Sequence, residues 1–245
     1  YVPGDDLKHL DWKLFAKHDR YYIKQYEEDT SMRVYLVLDT SGSMRYTTAK
    51  HSKLDYGRFI SVVLTHLLLH QNDSVGLVTC DSKMNRYLPA RSSPGHLRNI
   101  MQALDAVRPG NDTGLANVLH GIATLIRRRA LIVIISDFFD NIDEMTLALN
   151  HFAHKKHEVI LYQVLDRKEA DFPFRHLTRF ESLESNERVL VDPLRLRGEY
   201  VNQFTKHQKR LRTTCHNLHI DFVQMFTDEP FERSLAEYLA RRLKR

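Results

Sequence analysis

The chain has 245 residues, 42% of them hydrophobic and 27% charged, which is the balance of a globular protein with one large domain or one domain with additions. No apolar run approaches the ~18 residues of a membrane-spanning helix, and no signal peptide is visible. Lys and Arg number 36 against 31 Asp and Glu, and the whole +5 excess lies in residues 195–245, which carry 11 basic and 6 acidic side chains. Such a tail suits nucleic acid or an acidic partner. It lacks a Lys/Arg block interleaved with aromatics, so a solvated helix face is the preferred reading and nucleic-acid binding is not expected.

In chain order, residues 31–167 alternate short apolar runs with amphipathic ones. "MRVYLVLD" (32–39) reads as a strand ending in Asp39. "LDYGRFISVVLTHLLLH" (54–70) spaces Tyr56, Phe59, Ile60, Val63, Leu64, Leu67 and Leu68 as a helix. "DSVGLVTCD" (73–81) is the next strand, and "NRYLPAR" (85–91) a short edge strand, because Pro89 has no N–H for a central ladder. "SPGHLRNIMQAL" (93–104) is a helix with Ser93 and Pro94 as start signals. "TGLANVLHGIATLIRR" (113–128) is a helix with Leu115, Val118, Leu119, Ile122, Leu125 and Ile126 on one side. "ALIVIISD" (130–137) is apolar throughout, as a strand covered on both faces should be. A helix over 143–154 and the strand "EVILYQVLD" (158–166) follow.

Residues 167–193 read as irregular, with a small hairpin turning at "SNE". Residues 193–217 form a long helix, 218–226 a last strand and 230–245 a closing helix with Pro230 in its first turn. Strands alternating with helices predict an α/β fold of the Rossmann-like kind, a mostly parallel sheet flanked by helices. Ligands in such folds sit at the carboxyl ends of the strands.

Two apolar strands end in aspartate there, Asp39 and Asp137. Asp39 opens D-x-S-x-S, with Ser41 and Ser43 flanking Gly42, whose conformational freedom allows a tight loop. Thr113 supplies a further hydroxyl after "RPGND". Carboxylates with hydroxyls make a hard, all-oxygen donor set, which favours Mg²⁺, with Mn²⁺ or Ca²⁺ as alternatives, over zinc. Cys80 and Cys215 are far apart and form no CxxC pair, so a structural zinc site is not expected. Two buried reduced thiols, and with them a cytoplasmic compartment, are. The fourteen histidines show no metal-binding spacing.

D-x-S-x-S, then the Thr of "GNDTGL", then an apolar strand ending in S-D resembles the von Willebrand factor A (VWA) domain. The resemblance implies a metal ion-dependent adhesion site of Asp39, Ser41, Ser43, Thr113 and Asp137. The N-terminal "YVPGDDLKHLDWKLF", with "KLDYGRF", "DSVGLV" and "VLVDPLRLRGEY", is similar to a bacterial VWA group, domain-of-unknown-function family 58. Lys8, His9 and Lys17 stand near positions where that family often has Arg. Residues 1–30 are then a family-signature segment in which Trp12 and Phe15 pack on the core, and 31–245 the VWA-like domain with 167–193 as an insertion.

The resemblance implies a metal-dependent protein-interaction module rather than an enzyme. Its implied partners are a MoxR-type AAA+ ATPase and a client with an exposed carboxylate, in protein maturation or complex assembly. A phosphatase using Asp39 as nucleophile is the rival, but its general acid would stand at position 41, which is Ser. A serine hydrolase would need G-x-S-x-G, which "TSGSM" does not match. The chain starts at Tyr1 rather than Met, which leaves open a membrane segment upstream.

Overall fold

The structure, a computed structural model, describes residues 31–48, 50–110, 114–183 and 187–230. The N-terminal signature segment, Thr113, most of the hairpin turn and the closing helix lie outside them. The described elements run β1 (Arg33–Asp39), α1 (Lys53–His70), β2 (Ser74–Cys80), β3 (Met84–Arg91), α2 (His96–Asp105), α3 (Leu115–Leu125), β4 (Leu131–Ser136) and α4 (Ile142–His154). They continue with β5 (Glu158–Leu165), α5 (Arg167–Asp171), β6 (Thr178–Glu181), β7 (Arg188–Val191), α6 (Pro193–Asn217) and β8 (Asp221–Phe226).

The expected α/β architecture is present. A sheet of order β3-β2-β1-β4-β5-β8 is parallel throughout except for β3, which pairs antiparallel with β2 at one edge. Pro89 lies in that edge strand, where a missing N–H is tolerated. Chain order reverses beside β1, since β2 lies on one side and β4 on the other. The β1/β4 boundary is therefore the topological switch point, where the carboxyl ends of parallel strands leave a crevice.

The alternation of side chains along each strand builds two cores. Val34, Leu36 and Leu38 join Val133 and Ile135 with Leu54, Ile60 and Leu64 of α1 and Ile100 of α2. Tyr35 and Val37 join Ile132 and Ile134 with Leu119 and Ile122 of α3, Leu149 and Phe152 of α4, and Leu211 of α6. Both faces of β1 and β4 are thus covered, which explains why these strands read as nearly continuous apolar runs.

Element boundaries moved where local caps overrode periodicity. Helix α2 begins at His96, because His96 N bonds Ser93 O at 2.9 Å and makes Ser93–His96 a turn. Helix α3 stops at Leu125, where Ile126 turns extended. Strand β8 starts at Asp221, because His219, at φ 54°, ends α6 with a left-handed residue. Phe59, Leu67 and Leu125, members of the apolar helical stripes, are 42%, 37% and 44% exposed at the margins of those stripes. The region 167–193 is more ordered than expected. It holds α5 and the antiparallel pair β6–β7.

Candidate metal centre

Asp39 ends β1, Ser136 ends β4 and Asp137 follows it directly, so the switch-point crevice carries both sequence-predicted carboxylates. Asp39 is buried, with Oδ1 accepting from the backbone N–H of Ser41 at 2.9 Å and Oδ2 accepting from Ser136 Oγ at 2.6 Å. Ser136 Oγ in turn accepts from the N–H of Phe138 at 2.9 Å. Residues 42–45 form one 3₁₀ turn, which draws Ser41 Oγ and Ser43 Oγ to 3.1 Å of each other. Adjacent oxygen ligands of an octahedral Mg²⁺ stand about 3.0 Å apart, given bonds of about 2.1 Å. The two hydroxyls, hydrogen-bonded to each other, stand close to that separation, and the donor set fits such an ion chemically.

The loop that leads to Thr113 is held against β1. Gly110 donates its N–H to Thr40 O at 2.7 Å, and a side chain at Gly110 would collide with the Asp81 carboxylate. Thr40 also donates through its hydroxyl to Cys80 O at 3.0 Å. Asp140, just past β4, accepts from the N–H of Ala116 at 3.2 Å, in the first turn of α3.

Lys53 and Glu169 are the residues that the sequence reading missed. Lys53 is fully buried, and its ammonium donates to Asp137 Oδ2 and to Glu169 Oε1, both at 2.7 Å. Asp137 Oδ1 accepts from the N–H of Phe139 at 3.2 Å, and its carbonyl accepts from Gln163 Nε2 at 2.9 Å. Lys53 stands directly after Ser52, which caps α1 through a reciprocal pair with Asp55. In sequence this reads as an ordinary exposed first turn. What brings the lysine inside is Gly57, where an added Cβ would stand 2.7 Å from Leu38 Cδ1, so α1 lies against the ends of β1 and β4. Glu169 belongs to the same device on α5. Asp166 caps that helix, and Glu169 Oε2 accepts from Asp166 N at 3.1 Å.

The electrostatics follow from this burial. Burial first, and then the Asp137 charge, push the Asp39 carboxyl up to about 6, against the opposing pull of its Ser136 and Ser41 hydrogen bonds. Burial works to lower the Lys53 ammonium, yet Asp137 and Glu169 hold it above the ordinary lysine value. Burial raises the Glu169 carboxyl despite Lys53 beside it. Two carboxylates, Asp137 and Glu169, flank the one ammonium, and Asp39 feels the Asp137 charge from beyond that pair. Among the described residues no group of three or more His, Cys, Asp or Glu side chains is placed to share an ion, so the candidate centre rests on its hydroxyls as well as its carboxylates.

Relatives with this architecture are found among solved structures. BatB from Bacteroides thetaiotaomicron superposes with a TM-score of 0.56 at 14% identity, over 88% of this chain and all of that one (100%). An aerotolerance-related membrane protein from Bacteroides fragilis NCTC 9343 gives 0.56 at 16% identity, over 84% of this chain and 96% of that one. The SpRpn10 VWA domain gives 0.50 at 10% identity, over 85% and 95%. At these identities the likeness is one of fold, and the fold is VWA-like. In sequence, the uncharacterized protein Rv1480 of Mycobacterium tuberculosis (strain ATCC 25618 / H37Rv) is 25% identical over 248 residues, covering 99% of this chain and 77% of that protein. The model of the family described as "Protein of unknown function DUF58" matches residues 1–210, and this chain, with its VWA-like α/β domain, belongs to that family.

Proposed function

We propose that this protein is a metal-dependent protein-interaction module whose docking point is the β1/β4 crevice. The observation that carries the reading is the conjunction at one strand edge of a buried Asp39, paired Ser41 and Ser43 hydroxyls 3.1 Å apart, and Asp137. Asp39, Ser41, Ser43 and Thr113 would hold Mg²⁺ (or Mn²⁺ or Ca²⁺), with Asp137 acting directly or through water. Bound there, the ion supplies an electrophilic centre with one position open to an oxygen from outside the chain.

The chain's own residues set the conditions for that contact. Ser136 and the Ser41 N–H orient Asp39, one bond to each carboxylate oxygen. Lys53 fixes Asp137 and neutralises part of the negative charge. Glu169 draws the other side of the ammonium toward the inserted segment 167–193. These features support binding rather than turnover.

The partner is a MoxR-type AAA+ ATPase, and the client is a protein with an exposed carboxylate. This assignment rests on the sequence resemblance. The protein would then link the ATPase's work to maturation or assembly of that client. Membrane association is the reading that the aerotolerance-related structural neighbour, described as a membrane protein, supports. None of the described helices is long and apolar enough to cross a bilayer. The test is a pulldown with a purified MoxR-type AAA+ ATPase, in Mg²⁺ and in EDTA, with wild type and Asp39→Ala. Capture only by wild type in Mg²⁺ is expected. Equal capture in all arms would remove the docking reading.

A further inference from the structure

Beside the candidate metal centre lies an aromatic cavity of about 340 Å³. Its walls come from α5, the β6–β7 hairpin, the start of α6 and Tyr46. Phe172 stacks on Tyr200, with ring centroids 4.4 Å apart, and on Phe180 at 5.7 Å, while Phe174 meets Phe180 edge-on at 5.4 Å. Phe172 takes a left-handed backbone, φ 43°, to close α5 and turn its ring into this group. Non-glycine residues so held gather at binding sites.

Two features join the cavity to the crevice. Glu169 lines it and shares the Lys53 ammonium with Asp137, so two hydrogen bonds of 2.7 Å span from cavity wall to candidate ligand. Tyr46 also lines it, and its N–H bonds Ser43 O at 3.1 Å. The charges define the occupant. Glu169 is already satisfied by Lys53 and the Asp166 N–H, so the interior asks for no cation. Lys168, in the wall, has no carboxylate partner among the described residues. A neutral ring inside and an acidic group next to it complement this surface. The volume has room for one or two aromatic side chains, and Leu196, half exposed, extends the apolar rim.

We infer that the cavity is the second half of the docking site and receives an aromatic side chain of a partner protein's segment, one or two residues from the carboxylate that reaches the crevice. This inference rests on the metal-dependent reading for its acidic half and on the cavity alone for its aromatic half. Buried aromatic anchors dominate interface energies, so the ring is the larger determinant of partner choice.

The probes are acetylated, amidated glycine-flanked peptides with one Phe and one Asp separated by zero, one or two Gly, their Phe-to-Ala and Asp-to-Asn counterparts, and ligand-observed NMR titration. In Mg²⁺, the best Phe peptide is expected to bind at least about tenfold tighter than its Ala counterpart. That preference should vanish in Phe180→Ala and in Leu196→Glu, the latter a surface change that leaves the ring stack intact. Equal affinity of Phe and Ala peptides for wild type, or a preference intact in both variants, overturns the inference. Mg²⁺-dependent Asp binding that is indifferent to Phe would sink the cavity and leave the metal reading standing. A Phe preference that survives EDTA and Asp-to-Asn would do the reverse.

Discussion

Lys53 and Asp137 meet as a buried ion pair, with the ammonium 2.7 Å from Asp137 Oδ2 and side-chain exposures of 0% and 2%. The same ammonium reaches Glu169, on a helix more than a hundred positions later in the chain, at 2.7 Å. A single cation thus ties the first turn of α1 to the end of β4 and to α5.

Lys53→Met should therefore destabilise by about 3–5 kcal/mol, because it leaves two carboxylates without their partner inside the protein. Adding Glu169→Gln should recover part of the loss. A double-mutant cycle by urea unfolding measures the coupling. Additive effects of the two changes would mean that the pair does not interact as described.

Asp39 gives a pH dependence of unusual sign. Its carboxyl stands at about 6 folded against 3.8 ordinarily, so the folded chain binds more protons between those values. Without metal, stability falls as pH rises through that window, and the loss is complete above it. At about 1.4 kcal/mol per pH unit it amounts to about 3 kcal/mol at most. Asp39→Asn should flatten this slope, and in EDTA at neutral pH it should be more stable than wild type. Urea midpoints from pH 4 to 8 read this directly.

The outline of this site was legible because its signals are local. Asp39, Ser41 and Ser43 lie within five positions, and Asp137 ends an apolar strand whose burial is written in its composition. Lys53 and Glu169 were not, because each stands in a capped helical first turn where charged residues are ordinarily solvated. Only the close approach of α1 at Gly57 and the placement of α5 put them inside. The fold was legible for the same reason as the outline, since strands covered on both faces announce themselves. The aromatic cavity was not, because Phe172, Phe180 and Tyr200 are far enough apart in sequence to show no period.

Asp166 carries two loads. It caps α5 and accepts from Thr48 N at 2.8 Å and Thr48 Oγ1 at 2.6 Å, pinning the loop before α1. Asp166→Ala should cost about 1–3 kcal/mol. Hydrogen exchange at residues 46–52 should rise more than exchange in β4. Uniform change across both would mean global loosening instead.

Both thiols should be inert in the native state. Cys80 and Cys215 are buried and unpaired, with burial raising Cys80 far up and Cys215 to about 12. A thiol reagent at pH 8 should label neither until denaturant is added, and then both. Fast labelling of the native protein would contradict this packing.

The most direct test of a metal-dependent dock is calorimetric titration of Mg²⁺ into metal-free wild type and Asp39→Asn at pH 7.5. One-site binding by wild type, with none by the variant, is the predicted result. No binding by wild type, or the same isotherm for both proteins, would contradict the assignment of Asp39, Ser41, Ser43, Thr113 and Asp137 as an ion site.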